Sequence, residues 1–453
     1  MAEGLRPPEP LTVTEWAERY RLLSKKGSAE PGRYRVARTP YMRDIMDNLG
    51  VTSPVGQTVF MKPARIGGSE AGNNWIGYII DNAPAPAMLV SPTQDAAKKY
   101  IRQKIDPMLD ENPRLRAKLT VRQGSGGHSV MEKHFFGGSL SIGIGSSAAS
   151  LRAIDALYGF FDEVEAYPDD VGQEGDPLEL ALKRLANFGA RSKSFILSTP
   201  KIKGNSRIES YYENGDQRLY HVPCPHCGTE QPLVWSQLQW PTGRPDKAEY
   251  FCQGCGAAIP EGRKTWMLTN GLWVPQKPLV TDVRSYSINA LYSPLGWEPS
   301  FADMAKTFEK NHKSPTKLKV FVNTVLGETW IEKGAAPDTS RIYERREDYP
   351  IGTAPMGVLA ITAGVDVQPN RLECYVWGWG ENDECWLVDQ QIFTGPPAAE
   401  EVWIKLGDYL KAARFQASPD DAPLLASSKK ALPILKVGID QGYLPARVHD
   451  FMR

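Results

Sequence analysis

Short apolar runs alternate with helix-like segments along the first half of this chain. The runs, each bounded by polar residues, lie at 58–61, 87–90, 140–143, 156–161 and 194–197. Short continuous apolar runs are typical of buried strands. Helical patterns over 68–81 and 93–109 follow the first two runs. The alternation predicts an α/β fold, in which helices flank a mainly parallel sheet.

The pattern changes twice further along the chain. Residues 216–275 combine Cys, Pro, Gly and Trp without a helical period, and residues 356–453 return to strands and helices. The predicted segments are an N-terminal arm over 1–50, a core over 51–215, a small inserted module over 216–275, a helical continuation of the core over 276–335, a linker over 336–355 and a second α/β domain over 356–453.

The composition limits the kinds of partner. The 453 residues contain 53 Lys and Arg against 53 Asp and Glu, so the formal net charge is zero. Contacts with nucleic acid would need local basic patches, and basic residues cluster at 183–207 and 306–319. No apolar run is long enough for a membrane helix, and residues 1–25 lack the apolar stretch of a signal peptide. We expect a soluble intracellular protein without membrane contact.

Two adjacent carboxylates, Asp162 and Glu163, end the apolar run at 156–161. Ligands of parallel sheets gather at the carboxyl ends of strands, so this pair would lie at the edge of a crevice. An Asp there can hold the Mg²⁺ of a nucleoside triphosphate, and the Glu beside it can orient or deprotonate the attacking water. The alternative is a strand that runs into an acidic surface loop.

The loop between the first strand and its helix has part of a phosphate-loop pattern. In the usual form, Gly-x-x-x-x-Gly-Lys-Ser/Thr, backbone amides cradle phosphate and the lysine reaches the terminal phosphates. Here Gly67 and Ser69 fit, but Gly68 stands in the lysine position and Lys62 in that of the first glycine. The positive charge would then enter from the other end of the loop, from Lys62 and Arg65. The alternative is a glycine-containing turn with two surface cations.

A third strand end carries hydroxyl residues. Ser198-Thr199-Pro200 closes the run at 194–197 and resembles the coupling motif of helicase-like motors, in which small hydroxyl residues sense the γ-phosphate. In this order, phosphate loop, carboxylate pair and hydroxyl motif predict a nucleotide-hydrolysing core. Lys201 and Lys203 follow directly, which suggests a role facing DNA.

Four of the six cysteines form two Cys-x-x-Cys pairs within the inserted module. Two such knuckles supply four thiolates in a tetrahedron, and their spacing predicts a structural zinc ribbon. The proposed ligands are Cys224, Cys227, Cys252 and Cys255. The alternatives are a redox pair or an accidental grouping.

Two apolar strands of the second domain end in aspartates, Asp366 and Asp440. Two carboxylates side by side are the framework of a two-metal nuclease of the RNase H type, in which Mg²⁺ or Mn²⁺ ions activate water and stabilise the leaving oxygen. The alternative is a pair of aspartates that cap turns.

A set of motifs in fixed order runs from about residue 30 to the end of the chain. The set comprises Arg38-Thr39-Pro40-Tyr41, the loop 62–70, Ser91-Pro92-Thr93, Ser150-Leu151-Arg152, Asp162-Glu163, Leu197-Ser198-Thr199-Pro200, the four cysteines and Gly364-Val365-Asp366. Together these motifs resemble the large terminase subunit of tailed bacteriophages, and most of all its lambda-type (GpA) branch. The resemblance implies an N-terminal P-loop ATPase of the ASCE, RecA-like class with an inserted zinc ribbon, followed by an RNase H-like nuclease domain.

The resemblance also implies a role for each motif. Asp162 and Ser69 would hold Mg²⁺, Glu163 would activate water, Thr199 would couple hydrolysis to movement, and Tyr41, in the adenine-side segment of the arm, would lie near the base. The nucleotide-binding residues would be Lys62, Pro63, Ala64, Arg65, Ile66, Gly67, Gly68 and Ser69. The arginine finger would be Arg65 or Arg152, in cis or across a subunit ring. Where some members carry a basic residue near the end of the loop, this chain has Glu70.

Members of this family use ATP to drive viral double-stranded DNA into procapsids and cut concatemeric DNA with their nuclease. The implied cofactors are ATP, Mg²⁺ (or Mn²⁺ in the nuclease) and Zn²⁺. The implied partners are DNA, the small terminase subunit, the portal protein of the procapsid and further copies of the chain in a homo-oligomeric ring. The implied location is the host cytoplasm, transiently at the procapsid portal, with no copy in the mature virion.

The nuclease part departs from the family pattern. Family nucleases use a third carboxylate beyond the second strand-end aspartate, and the sequence ends at Arg453, shortly after Asp440. We expect a C-terminally incomplete nuclease domain whose cleavage is impaired.

Two other functions fit parts of the sequence. A helicase-like DNA-remodelling ATPase would share the nucleotide core, but the Asp366/Asp440 pair and the absence of helicase arginine motifs argue against it. A non-catalytic scaffold that binds DNA or capsid, with a decayed nucleotide site, is suggested by Gly68 in the lysine position.

Overall fold

The computed structural model describes residues 9–28, 30–120, 130–332, 346–381, 384–417 and 431–453. The chain divides into two compact units, residues 1–333 and 334–453. Much of the predicted linker, up to residue 345, lies outside the described residues. Within the described part of the chain, no helix is both long enough and apolar enough to cross a membrane.

The first unit contains fifteen strands and twelve α-helices among its described residues. The strands are β1 (Leu22–Leu23), β2 (Gly32–Arg33), β3 (Gln57–Met61), β4 (Ala87–Ser91), β5 (Glu132–Phe135), β6 (Gly138–Ile144), β7 (Tyr158–Asp162), β8 (Lys193–Ser198), β9 (Arg218–Pro223), β10 (Glu230–Pro232), β11 (Leu238–Gln239), β12 (Glu249–Phe251), β13 (Ala258–Ile259), β14 (Leu272–Pro275) and β15 (Val283–Ser287). The helices are α1 (Val13–Tyr20), α2 (Met42–Asn48), α3 (Gly68–Asn82), α4 (Gln94–Tyr100), α5 (Asp106–Glu111), α6 (Pro113–Arg116), α7 (Ala148–Arg152), α8 (Pro177–Leu182), α9 (Arg207–Asn214), α10 (Lys264–Thr269), α11 (Phe301–Asn311) and α12 (Pro315–Phe321).

A ten-stranded sheet forms the centre of this unit. Its main path runs β10-β9-β15-β3-β8-β7-β4-β6-β5, and β14 pairs with β9. The six central strands, from β15 to β6, pair in parallel. Strand β8 separates β3, which precedes the loop, from β7, which ends in the carboxylates. This order confirms the predicted parallel α/β fold.

Close packing of α3 against the sheet and against α1 depends on two glycines. A Cβ atom at Gly72 would lie 2.1 Å from Cζ of Phe160 on β7, and one at Gly77 would lie 2.3 Å from Cη2 of Trp16 on α1. Both aromatic rings are fully buried. Because interiors are close-packed, a methyl group at either position would displace a ring. The glycines therefore let the helix that follows the loop lie flat on the core.

The stretch predicted as an inserted module, residues 216–275, contributes to two different sheets. Strands β9, β10 and β14 join the large sheet, whereas β11, β12 and β13 form a separate three-stranded antiparallel sheet. The stretch predicted as a helical continuation contains α11 and α12 and also the parallel strand β15. Two π-helical turns, Ile101–Ile105 and Val322–Leu326, extend α4 and α12.

The second unit has its own six-stranded sheet in the order β16-β20-β21-β17-β18-β19. Its elements are β16 (Thr353–Ala354), β17 (Ala360–Gln368), β18 (Arg371–Trp379), β19 (Cys385–Thr394), β20 (Arg414–Ala417), β21 (Leu432–Ile439) and the helices α13 (Glu400–Ala412) and α14 (Pro445–Met452). Strands β17 to β19 form an antiparallel meander, and β21 pairs with β17 in parallel. This is the arrangement expected of an RNase H-like domain.

Candidate functional site

Three strand ends meet at one edge of the large sheet. In the register of the parallel strands, Met61 of β3 lies opposite Ser198 of β8, and Leu197 lies opposite Asp162 of β7. The loop that follows Met61 therefore lies beside the hydroxyl motif, and the hydroxyl motif beside the carboxylates. The structure brings together the three motifs that the sequence placed at separate strand ends.

The phosphate loop is held from three sides. The N–H of Lys62 donates to the carbonyl of Ser198 at 3.0 Å, and the N–H of Ala64 donates to the carbonyl of Thr324 at 2.8 Å. On the inner side, Tyr41 Oη donates to the carbonyl of Ile66 at 3.2 Å. Gly67 directly precedes α3 with φ +94°, a backbone conformation that glycine adopts readily. The loop thus ends at the N-terminus of α3, and a helix N-terminus is a place where anions can bind.

Lys62 occupies the space beside Gly68. A Cβ atom at Gly68 would lie 2.8 Å from Cδ and 3.0 Å from Cε of Lys62. The Lys62 side chain is 6% exposed, and its Nζ donates to Glu163 Oε1 at 3.2 Å. The ammonium group therefore enters the site from the start of the loop, and its methylene stem fills the position where the usual lysine would begin.

The carboxylate pair has two different environments. Burial raises the pKa of Asp162 to about 6, although the Lys62 ammonium and a hydrogen bond from Ser69 oppose the shift. Asp162 Oδ1 is buried without a hydrogen-bond partner, as expected of an atom that ligates a metal ion. Glu163 is more exposed, has φ +53°, and accepts from Ser198 Oγ at 3.5 Å in addition to Lys62.

The sequence predicts a coupling role for Thr199, but in the structure Ser198 is the hydroxyl residue that contacts Glu163. Ser198 is fully buried and also accepts from the N–H of Glu165 at 3.3 Å. Thr199 is half-buried. The predicted motifs do not include Glu165 or Tyr100, and the Oη of Tyr100 donates to Asn73 Oδ1 at 2.8 Å beside Ser69. The acidic pattern Asp-Glu-x-Glu was the only sequence signal for Glu165.

Tyr41 supports the loop from within the protein core. Its ring is fully buried, and its carbonyl accepts from Trp273 Nε1 at 2.8 Å. A fully buried ring offers no face to a nucleotide base, so the contact shown by the structure is with the loop.

The two arginine-finger candidates and Glu70 differ in their partners. Arg65 is exposed, has φ +57° and makes no hydrogen bond or ion pair with any described residue. Arg152 Nη1 lies 2.7 Å from Glu174 Oε1. Glu70 pairs with the buried Arg21, whose Nη2 lies 2.6 Å from Glu70 Oε1. The carboxylate at the end of the loop is thus neutralised by the N-terminal arm.

The cysteine pairs form a metal-binding cluster. The four sulfur atoms lie within 4.8 Å of one another, and Cys224 and Cys252 are buried. Each knuckle closes in the same way: the N–H of Gly228 donates to the Cys224 carbonyl at 2.9 Å, and that of Gly256 donates to the Cys252 carbonyl at 3.0 Å. The cluster contains no histidine. Four thiolates in this arrangement suit a structural zinc ion.

The two aspartates of the second unit lie on neighbouring strands, but only Asp440 follows a strand end. Asp366 was predicted at one, yet β17 continues to Gln368 because residues 366–368 still pair with β18. Val365 pairs with Ile439 in the parallel register, so Asp366 and Asp440 follow on adjacent strands. Gln368 Nε2 donates to Asp366 Oδ2 at 2.5 Å. Among the described residues, no third carboxylate, histidine or cysteine joins this pair to form a cluster of metal ligands.

The two basic clusters differ in how many of their side chains form ion pairs or hydrogen bonds within the protein. Lys203 Nζ lies 2.8 Å from Glu209 and 3.0 Å from Glu213, and Lys201 Nζ donates to the carbonyl of Glu165. In the second cluster, four lysines are exposed and form no ion pair with a described residue. They are Lys306, Lys310, Lys313 and Lys317. The first cluster is thus largely occupied by internal contacts.

Comparison with known proteins gave consistent matches. The ATPase-domain model of the phage terminase large subunit gpA matches residues 28–273, and the gpA endonuclease-domain model matches residues 283–453. The terminase large subunits of Enterobacteria phage P21 and Escherichia phage lambda are each 31% identical to the chain, over 88% and 89% of its length. The chain spans 65% and 66% of the lengths of these relatives.

Solved structures of low sequence identity were also found. The large terminase of bacteriophage HK97 has a TM-score of 0.46 at 12% identity and covers 98% of this chain and 81% of its own. The ATPase domain of the Thermus phage P74-26 large terminase has a TM-score of 0.36 at 12% identity and covers 63% of this chain and 92% of its own.

Proposed function

Because this chain belongs to the gpA family of phage terminase large subunits, we propose that it is an ATP-driven motor that moves viral double-stranded DNA into procapsids and an endonuclease that cuts concatemeric DNA. The observation that carries the motor proposal is the meeting of Lys62, Asp162, Glu163 and Ser198 at the ends of three adjacent parallel strands.

The residues at the ends of β3, β8 and β7 would have different roles in ATP hydrolysis. Lys62 and the amides of the loop would bind the phosphates, and Asp162 with Ser69 would hold Mg²⁺, which neutralises phosphate charge when bound. The partnerless Oδ1 of Asp162 supports this assignment. Glu163 would orient or deprotonate the attacking water, and Ser198 holds its second carboxylate oxygen. A coupling role for Thr199 and a place for the base near the Tyr41 segment remain part of this proposal.

The metal sites outside the crevice have separate roles. Zn²⁺ would be held by the four clustered cysteines and would stabilise the fold without touching substrate. Asp366 and Asp440 would hold the Mg²⁺ or Mn²⁺ of the nuclease. Because no third carboxylate joins them among the described residues, we further propose that cleavage by this chain is weak.

The proposed partners are double-stranded DNA, the small terminase subunit, the portal protein of the procapsid and other copies of the chain in a homo-oligomeric ring. Arg65 is exposed and free of described partners, which suits an arginine finger that acts across such a ring. The proposed site of action is the host cytoplasm, transiently at the procapsid portal, and the mature virion would lack the protein.

ATP turnover in the presence of DNA and procapsids tests the motor proposal. Glu163→Ala removes the water-orienting carboxylate and is expected to lower kcat by about 10² to 10⁴-fold. Asp169→Ala, at an exposed carboxylate, is the control and should leave kcat unchanged. Lack of turnover by the unaltered chain would favour a non-catalytic scaffold, although the placement of Lys62 beside Glu163 argues against a decayed site.

A further inference from the structure

Glu165 is a buried carboxylate to which the proposed chemistry gives no role. It follows Glu163 by two positions, and only 5% of the residue is exposed. Burial of a carboxylate is unfavourable unless hydrogen-bond donors satisfy it. Here two donors form hydrogen bonds with the same carboxylate oxygen. Glu165 Oε1 accepts from Ser206 Oγ at 2.7 Å and from the N–H of Ile208 at 2.7 Å.

Both donors lie at the start of α9. The N–H groups of a first helical turn lack partners within the helix, and the Ser206 side chain does not cap them. The Glu165 carboxylate caps the helix instead of the Ser206 side chain. It lies at the positive end of the helix dipole, which favours a negative charge. Arg207 adds a second attachment, because its Nη1 donates to the carbonyl of Val164 at 2.6 Å. The segment that directly follows Glu163 therefore fixes the start of α9.

The main chain of Glu165 contacts the hydroxyl motif. Its N–H donates to Ser198 Oγ at 3.3 Å, and the same hydroxyl donates to Glu163 Oε2 at 3.5 Å. Its carbonyl accepts from Lys201 Nζ. Glu163 has φ +53°, and its surroundings must hold this uncommon conformation. Glu165 thus contacts three parts of the site: Ser198, which binds Glu163, the start of α9, and Lys201 in the segment after β8.

We propose that Glu165 is a positioning residue for ATP hydrolysis. By binding the start of α9 through Oε1 and Ser198 through its N–H, it holds the Glu163 carboxylate where that group can orient water. The inference rests on the proposed ATPase function. A displacement of about 1 Å in a catalytic group can lower a rate by about a hundredfold, so loss of this support should appear in kcat.

Three substitutions separate hydrogen bonding from charge. Glu165→Gln keeps an oxygen acceptor at the same reach and removes the charge, whereas Glu165→Asp keeps the charge on a shorter side chain. We expect kcat within about threefold of the unaltered chain for Glu165→Gln, and a loss of about tenfold or more for Glu165→Asp and Glu165→Ala, with an unchanged KM for ATP. The proposal is overturned if the Asp variant is active and the Gln variant is not, or if all three retain full kcat.

Glu209→Ala is the matched control for a merely structural effect. Glu209 is also buried and lies on α9, but its side chain contacts Lys203 and Thr329. We expect Glu209→Ala to lower the melting temperature about as much as Glu165→Ala and to leave kcat unchanged. An equal loss of kcat in both variants would overturn the proposal. If Glu165→Ala does not fold, the Gln and Asp variants decide. Absence of ATP turnover by the unaltered chain is a different result and contradicts the proposed function itself.

Discussion

The Nζ atom of Lys62 lies 3.2 Å from Oε1 of Glu163, although 101 positions separate the two residues in the chain. The Lys62 side chain is almost fully buried, whereas 45% of the Glu163 side chain is exposed. A nucleotide phosphate would compete with the Glu163 carboxylate for this ammonium. Phosphate binding would therefore release the carboxylate toward water, so that the proposed general base becomes available when substrate arrives.

Replacement of Lys62 by methionine tests this arrangement. Lys62→Met keeps a long side chain beside Gly68 and removes the charge, so we expect kcat/KM for ATP to fall by about 10²-fold or more. The melting temperature should change little, because an apolar side chain tolerates this buried position. Steady-state hydrolysis and thermal unfolding measure the two quantities. Lys99→Met, at an exposed position of α4, serves as the control, and a Lys62→Met rate within threefold of it would contradict the assignment.

The pH dependence of stability should report the buried Asp162. Burial raises its pKa to about 6 from an ordinary 3.8, so between these values the folded state binds more protons than the unfolded state. Stability therefore falls as pH rises through this window. Asp162→Asn removes this pH-dependent loss of stability. In the presence of a chelator, the free energy of unfolding of the variant should therefore exceed that of the unaltered chain by an amount that grows from about pH 4 to pH 7, to at most about 3 kcal/mol.

Urea unfolding at a series of pH values measures this difference. Asp169→Asn, at an exposed carboxylate, should show no such trend. Added Mg²⁺ should stabilise the unaltered chain and leave Asp162→Asn unaffected, since the variant lacks the anionic ligand. If the difference in free energy of unfolding between Asp162→Asn and the unaltered chain does not vary with pH, the raised pKa of Asp162 is refuted.

Zinc should be bound at one ion per chain. Cys252→Ser removes a buried sulfur from the cluster, and we expect loss of the metal and a fall in melting temperature of roughly 5 °C. Elemental analysis and thermal unfolding check the two results. Cys385→Ser replaces an exposed cysteine outside the cluster and should retain the ion. Full zinc content in Cys252→Ser would exclude the four-thiolate site.

The nuclease aspartates should affect cleavage and not ATP turnover. Asp366→Asn is expected to abolish any Mn²⁺- or Mg²⁺-dependent cutting of plasmid DNA, because metal binding needs the carboxylate charge. Asp408→Asn, on α13, is the control for the second unit. ATP hydrolysis by Asp366→Asn should equal that of the unaltered chain. Equal cutting by both variants would place the nuclease metals elsewhere.

The core strands could be predicted because they are continuous apolar runs that lie buried on both faces. Strand β15 could not, since its sequence, Val-Arg-Ser-Tyr-Ser, is mostly polar and contains no apolar run. Its buried members are stabilised by residues far away in the chain. The N–H of Ser285 donates to Asp216 at 2.9 Å, and Tyr286 Oη donates to Asp44 at 2.6 Å. The local sequence around β15 does not predict contacts with residues so distant in the chain.

The residue types of the site could also be predicted, but their pairings could not. Glu70 departs from the family pattern in sequence, and the structure shows that Arg21 neutralises it. The burial of Tyr41 follows from aromatic neighbours such as Trp273, which lies 232 positions away. The choice of Ser198 over Thr199 as the contact of Glu163 depends on which side chain of a strand end faces β7. Each of these facts depends on tertiary packing.

The contact between Lys62 and Gly68 limits the routes by which such a loop can evolve. A side chain at position 68 would meet the Lys62 stem and lie 3.2 Å from Cδ1 of Leu197. A lysine at the start of the loop and a lysine at its end therefore compete for the same space. A lineage that exchanges one for the other by single steps must pass through an ancestor with two crowded lysines or with none. We expect relatives with a lysine at the second position to carry a smaller residue at the first.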